Sequence, residues 1–198
     1  MPYPADLQLQ TPTEVANWRP LVHWLLAIPH LLIAHVLNDL ACVLAFISWF
    51  VIVFTGRLPA GIAQLQCLIL RYEARTYSYL LWLREPYPAF EFSTAAADPA
   101  TDPLRVDLAP QLEDRDRLTV GLRLLWIIPF AVFTAVVTVG AVVAVVIAFF
   151  AVLLTGRWPL GLRRFVVNAA RMVLRVHAYG RLLVDDYPRF ALTQGTRR

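Results

Sequence analysis

The chain has no lysine, only two cysteines, two methionines and eight glycines in 198 residues, and just 16% of its residues are charged. Cys42 lies inside an apolar run and Cys67 in a helical stretch, which excludes a disulfide framework and gives no metal-ligand spacing. So little charge, with 59% hydrophobic residues and a mean hydropathy of +0.58, excludes an ordinary soluble domain, which carries about 25% charge. Every basic residue is arginine, as GC-rich coding sequence favours. The net charge of +4 is no nucleic-acid signature, because the arginines flank or punctuate apolar segments, where cytoplasmic-side bias explains them. The first 17 residues hold Asp6 and Glu14, no basic residue and no apolar core, so no cleavable signal peptide is expected.

What is present is a repeat. Residues 18–92 align without a gap on residues 118–192, with about 20 of 75 positions identical. The identities gather at special residues. Ile28-Pro29 matches Ile128-Pro129, and Thr55-Gly56-Arg57 matches Thr155-Gly156-Arg157. Pro59 and Gly61 match Pro159 and Gly161, Arg71, Arg75 and Tyr79 match Arg171, Arg175 and Tyr179, and Tyr87-Pro88-x-Phe90 matches Tyr187-Pro188-x-Phe190. Chance does not keep proline, glycine and arginine in one register, so the chain is read as a tandem duplication.

Each unit opens with a long apolar stretch, residues 21–54 and 124–154, whereas one span needs about 20 residues. Asn38-Asp39 interrupts the first and Gly140 the second, as turn residues do at a hairpin tip. Two crossings per unit also put every arginine cluster on one side. The expectation is therefore four short transmembrane helices, paired as hairpins over 20–55 and 119–155, with both termini and the linker cytoplasmic. Pro29 and Pro129 fall early in the first arms, where a kink is tolerated. Gly56 and Gly156 end the second arms with positive φ, and Pro59 and Pro159 start the next helices after Arg57 and Arg157.

Residues 60–83 and 160–183 read as amphipathic helices lying in the membrane interface. Arg164, Asn168, Arg171 and Arg175 fall in one stripe, repeated in the first unit by Gln64, Arg71 and Arg75. Such arginines face anionic headgroups, which makes Arg71, Arg75, Arg164, Arg171 and Arg175 the candidate lipid or anion site. Alternating segments at 5–10, 89–93, 104–108 and 189–193 predict strands that pair into a small cytoplasmic sheet. The fold class expected is thus mostly α and integral to the membrane, with repeats over 1–93 and 104–198 joined by a flexible linker over 94–103.

Leu26-Ala27-Ile28-Pro29-His30, Thr55-Gly56-Arg57-Leu58-Pro59 and Thr155-Gly156-Arg157-Trp158-Pro159, with Arg163-Arg164-Phe165, Arg171, Arg175-Val176, Ala178-Tyr179 and Asp186-Tyr187-Pro188-x-Phe190, carry a resemblance to a known family. By these motifs, in both units, the chain resembles the bacterial membrane proteins grouped as domain of unknown function 4389. The resemblance implies a prokaryotic inner-membrane protein and no established activity, and the four expected crossings make it multi-pass. The first unit departs at Glu85-Pro86-Tyr87, and its Glu73 lies opposite the arginine stripe.

His23 and His30, seven residues apart, share a helix face, with His35 and Asp39 beyond. Paired intramembrane histidines can ligate haem or metal, but the second unit has Arg123 and Phe130 there and completes no second pair. They are read as packing residues, and no metal or cofactor is expected. Asp39 reads as a solvated turn residue. Glu73, Tyr77 and Arg84 share a face, as an intrahelical ion-pair network or a contact to another protein. No nucleophile triad, metalloprotease helix or phosphate loop occurs, so no catalytic residue is assigned. The expected function is a non-enzymatic accessory or scaffold subunit, with a lipid-binding or transport protein as the alternative. Its partners would be the bilayer, anionic lipids above all, and a membrane protein or a second copy.

Overall fold

In a computed structural model, residues 3–12, 14–95, 98 and 102–188 are described. The two apolar stretches form one helix each: α1 runs over Arg19–Thr55 and α4 over Arg123–Thr155. The hairpins are therefore corrected. At 1.5 Å per residue α1 is about 55 Å long and α4 about 50 Å. Asn38-Asp39 and Gly140 lie within them in unbroken helix. Asn38 Oδ1 accepts a bond from Arg181 Nη2 at 3.0 Å, and a methyl at Gly140 would stand 3.2 Å from the Phe165 ring. Residues that read as turn formers instead admit neighbours. Pro29 and Pro129 also lie inside these helices.

Both long helices end on a left-handed glycine, Gly56 at φ 73° and Gly156 at φ 67°, as the motif predicts. Pro59 and Pro159 then occupy the N-cap positions of α2 (Ala60–Leu80) and α5 (Leu160–Gly180). These stop short of the expected 83 and 183, because Trp82 and Leu182 take φ of 55° and 63° and turn the chain away. A short α3 (Arg117–Gly121), capped by the Asp116 carboxylate on the Leu118 amide, precedes α4.

Every seventh residue, with intermediate threes and fours, builds the seam of α1: His23, Ala27, His30, Ala34, Ala41, Ser48 and Ile52 are buried. The alanines let α2 approach closely enough for Gln66 Nε2 to reach the Ala41 carbonyl at 2.8 Å. His30 meets Tyr72 and His23 meets Tyr79, so α2 runs antiparallel to α1. Ala141, Ala144 and Ala148 do the same for α5 on α4.

Of the four expected strands, two form: β1 (Ala5–Leu9) and β2 (Leu104–Leu108), antiparallel with Leu7 opposite Val106. Each is third in its strand, so a pseudo-two-fold passes between them. Residues 89–93 are not a strand, and 189–193 lie outside the described residues. The ribbon is exchanged between repeats: β1 packs on α5 and β2 on α2. Each exit turn is likewise held by the other repeat, the Gly56 carbonyl by the Arg115 amide and the Gly156 carbonyl by the Val15 amide. The end of each long helix thus abuts the beginning of the other, which makes α1 and α4 antiparallel.

Three layers result: the ribbon, then α2 with α5, then α1 with α4. Exposed large apolar side chains lie overwhelmingly on the third layer, from Trp18 to Phe54 and from Leu118 to Leu154. Both helices are long and apolar enough to cross a membrane.

Candidate functional site

Arg71, Arg75, Arg171 and Arg175 keep the predicted periodicity and face inward, which corrects their assignment to headgroups, while Gln64 and Arg164 of the same stripes are exposed. Arg71 Nη1 donates to the Ala95 carbonyl at 2.6 Å. Arg75, buried, pairs with Glu91 at 3.0 Å and with the wholly buried Asp98, whose other oxygen accepts the Val106 amide of β2. Arg84 joins the same cluster through Asp102 at 3.0 Å. In the second repeat Arg171 donates to the Leu7 carbonyl at 2.8 Å, and Arg175 lies over the Tyr3 ring at 5.5 Å. The stripes therefore bind ribbon and linker. The described linker residues Ala95, Asp98 and Asp102 are anchored rather than loose. Of the five candidate arginines only Arg164 is exposed, along with Arg57 and Arg157 at the exit turns; Gly61 and Gly161 lie exposed in the first turns of α2 and α5.

His23 and His30 are buried packing groups, as expected. The His23 ring stacks on Tyr79 at 4.2 Å and that of His30 on Phe90 at 4.2 Å. His30 Nδ1 meets the Tyr72 hydroxyl at 2.8 Å, and the Tyr87 hydroxyl donates to the Leu26 carbonyl. Among the described residues no group of three or more His, Cys, Asp or Glu side chains could hold a metal. His35 and Asp39 are different: they form a pair at 3.9 Å whose side chains are 77% and 67% exposed, in the middle of the apolar face of α1. The second repeat has Ala135 and Val139 there.

Glu73 and Arg84 do not form one intrahelical network. Glu73 is bound by Arg181 of the other repeat, at 2.8 and 3.0 Å from one nitrogen, and Arg181 also holds Asn38. Desolvation raises the Glu73 carboxyl above its ordinary range against the pull of Arg181. His177 stands 3.8 Å from Glu73, but burial and the Arg181 charge push its imidazole down to about 4. It is neutral at pH 7, so the contact is not an ion pair.

Sequence reasoning missed the ionic joint of the second repeat, where buried Arg115 and Arg123 converge on Asp185. Arg123 also caps the Val184 carbonyl at 2.8 Å and lies over the Tyr179 ring at 3.9 Å. The available signal was Arg123 standing at the start of the apolar helix where the first repeat has His23.

It also missed a cavity of about 460 Å³ between the repeats, walled by α2, α4 and α5 and floored by Leu7, Leu9 and Leu104 of the ribbon. Its polar lining is confined to Glu73, Tyr77, Ser78, Thr138 and His177. No curated protein and no solved structure matches the chain. The family model described as domain of unknown function (DUF4389) matches residues 17–91 and again residues 117–191, one copy on each helical unit. With both repeats matched over most of the sequence, the chain belongs to the DUF4389 family as a tandem two-copy member.

Proposed function

We propose that this chain is a non-enzymatic accessory or scaffold subunit that lies lengthwise in one leaflet of a membrane, with α1 and α4 embedded and the ribbon in water. The observation that carries the reading is the one-sided exposure of apolar side chains along the whole of both long helices. To keep their whole length within a 30 Å hydrocarbon core, spanning helices this long would tilt by about 55°, beyond the usual range. It would also bring the ribbon, with exposed Gln8 and Arg105, level with the middle of the helices. Open strand edges facing lipid at that depth are not tolerated. Lying flat removes both difficulties. Two crossings per repeat are set aside with the hairpins, and the lengthwise placement stands in place of one crossing by each long helix. Arg57, Arg157 and Arg164 then reach headgroup level at the rim, where anionic lipids favour them.

The accessory role is supported by where the charges go. Arg75, Arg84, Arg115, Arg123 and Arg181 all end on carboxylates of the same chain, as cement between elements. The His35–Asp39 pair is the exception, and a polar pair alone on a lipid-facing surface is costly unless a partner covers it.

Single cysteines in a Cys42→Ser, Cys67→Ser background test the placement. At Asn17 and at Arg57, an impermeant thiol reagent should label both from the same side of sealed vesicles. Labelling from opposite sides would establish a span and overturn the lengthwise reading. Gentle extraction with a stoichiometric protein partner supports the accessory role, and migration alone under every mild condition counts against it.

A further inference from the structure

The cavity between the repeats has a volume within the range of small-molecule sites and a lining divided by chemistry. Most of it is aliphatic, including Leu70, Val142, Val145, Val166 and Leu174. Two of its five polar residues are already engaged inside their own helices: Ser78 donates to the Arg75 carbonyl at 2.9 Å and Thr138 to the Thr134 carbonyl at 2.8 Å. That leaves Glu73, His177 and Tyr77. Tyr77 is 51% exposed and the His177 side chain 42%, so the polar end reaches the surface; Val142 and Val146 of α4 are exposed as well, so the aliphatic part opens on the apolar face of α4 above the buried Leu70, Val166 and Leu174.

The charge at that end sums to zero. Glu73 and Arg181 neutralise each other through one nitrogen of the guanidinium, and the imidazole between them and the surface is neutral. An ionic head would find no counter-charge, whereas an uncharged oxygen would find donors and an acceptor within one helical turn.

We propose that this cavity is a binding site for a single-chain amphiphile, its hydrocarbon tail between α2, α4 and α5 and its uncharged oxygen head against Glu73, Tyr77 and His177. Long-chain alcohols, monoacylglycerols and protonated fatty acids share this chemistry. The site goes beyond membrane docking: its α2 and α5 walls belong to the inner layer, and only its α4 wall is shared with the apolar face.

Photolabelling of the full chain in lipid nanodiscs tests it, with a long-chain alcohol carrying a mid-chain diazirine as probe. A phosphatidylcholine carrying the same diazirine reports bulk lipid. The alcohol should mark α2 and α5 around Leu70–Ala74 and Val166–Leu174, and the phosphatidylcholine only the outward faces of α1 and α4, Val142–Val146 included. Ala170→Phe, or Ala74→Phe from the opposite wall should the first not fold, should reduce cavity labelling at least tenfold and leave outward labelling unchanged. His177→Leu should weaken it less, by a few fold, since it removes one head contact and keeps the tail site. The proposal is overturned if the alcohol marks only the outward residues that the phosphatidylcholine marks, or if both filled variants leave cavity labelling intact. Absence of phosphatidylcholine labelling from the outward faces would instead count against membrane docking.

Discussion

Tyr79 and Tyr179 occupy the same place in the two repeats, and each packs edge-on against the tyrosine of its Tyr-Pro motif, at 5.4 and 5.6 Å. What covers the other face differs. In the first repeat the neutral ring of His23 stacks there, and the neighbouring acid, Glu85, is met at the surface by Arg19 at 2.9 Å. In the second, Arg123 supplies the same cover and carries a charge inside, so Asp185 is drawn in and a second cation, Arg115, with it. One exchange, histidine for arginine, moves an ionic joint from the rim to the interior. A shared backbone therefore does not imply shared energetics: the first repeat relies on aromatic stacking and the second on paired charge.

That difference can be broken deliberately. Arg123→His, which gives the second repeat the residue of the first, should destabilise most, by about 3 kcal/mol in a thermal or denaturant melt, because Asp185 loses a buried partner. His23→Phe, which keeps a stacked ring, should cost clearly less; equal losses would mean that the two repeats are held alike. Next come the exit turns. Gly156→Ala places a methyl 2.7 Å from Asn17 Oδ1, while Gly56→Ala meets only the mobile end of Arg117 at 3.2 Å. Both incur about 1 kcal/mol for positive φ, so Gly156→Ala should be the worse by a measurable margin in the same melt.

Titration separates the repeats again, since His177 stands where the first repeat has Tyr77. With a folded pKa below its unfolded value of 6.5, His177 binds its proton preferentially in the unfolded chain. Its share of stability is complete above 6.5 and is lost as pH falls toward 4. Glu73 has the opposite sign: its raised carboxyl takes up a proton more readily in the folded chain, which adds stability as pH falls toward its ordinary range. His177→Tyr should flatten the acid-side loss between pH 6.5 and 4, whereas Glu73→Gln should steepen it. The smallest effect on stability is expected from His35→Ala with Asp39→Val, the residues of the second repeat, within about 0.5 kcal/mol at exposed sites. The same double variant should nevertheless release a membrane partner in co-purification.

Much of this architecture was legible because it is local. The duplication, the glycine caps at 56 and 156, the starts of α2 and α5 and both described strands follow from residues next to one another. The hairpins were misread because Asn38 and Gly140 signal turns only if nothing else needs them. Their use is set by Arg181, 143 residues away, and by Phe165 on the neighbouring helix. The arginine stripes were found and aimed outward, since periodicity fixes a face but not what covers it. The cover is Asp98, Asp102 and the ribbon, reached across the linker or from the other repeat. The cavity left no sequence signal, because it belongs to the space between repeats.

The exchange of β1 and β2 has an ancestral reading. A protein with one repeat would leave its strand without an edge and its amphipathic helix without a cover, and two copies related about the Leu7–Val106 axis would satisfy both. The present chain looks like such a homodimer fused end to end. Once fused, the halves were free to diverge, which is how one kept a histidine and the other acquired an arginine. Cutting the chain in the linker near residue 100 should then yield fragments that are insoluble alone and reassemble when expressed together.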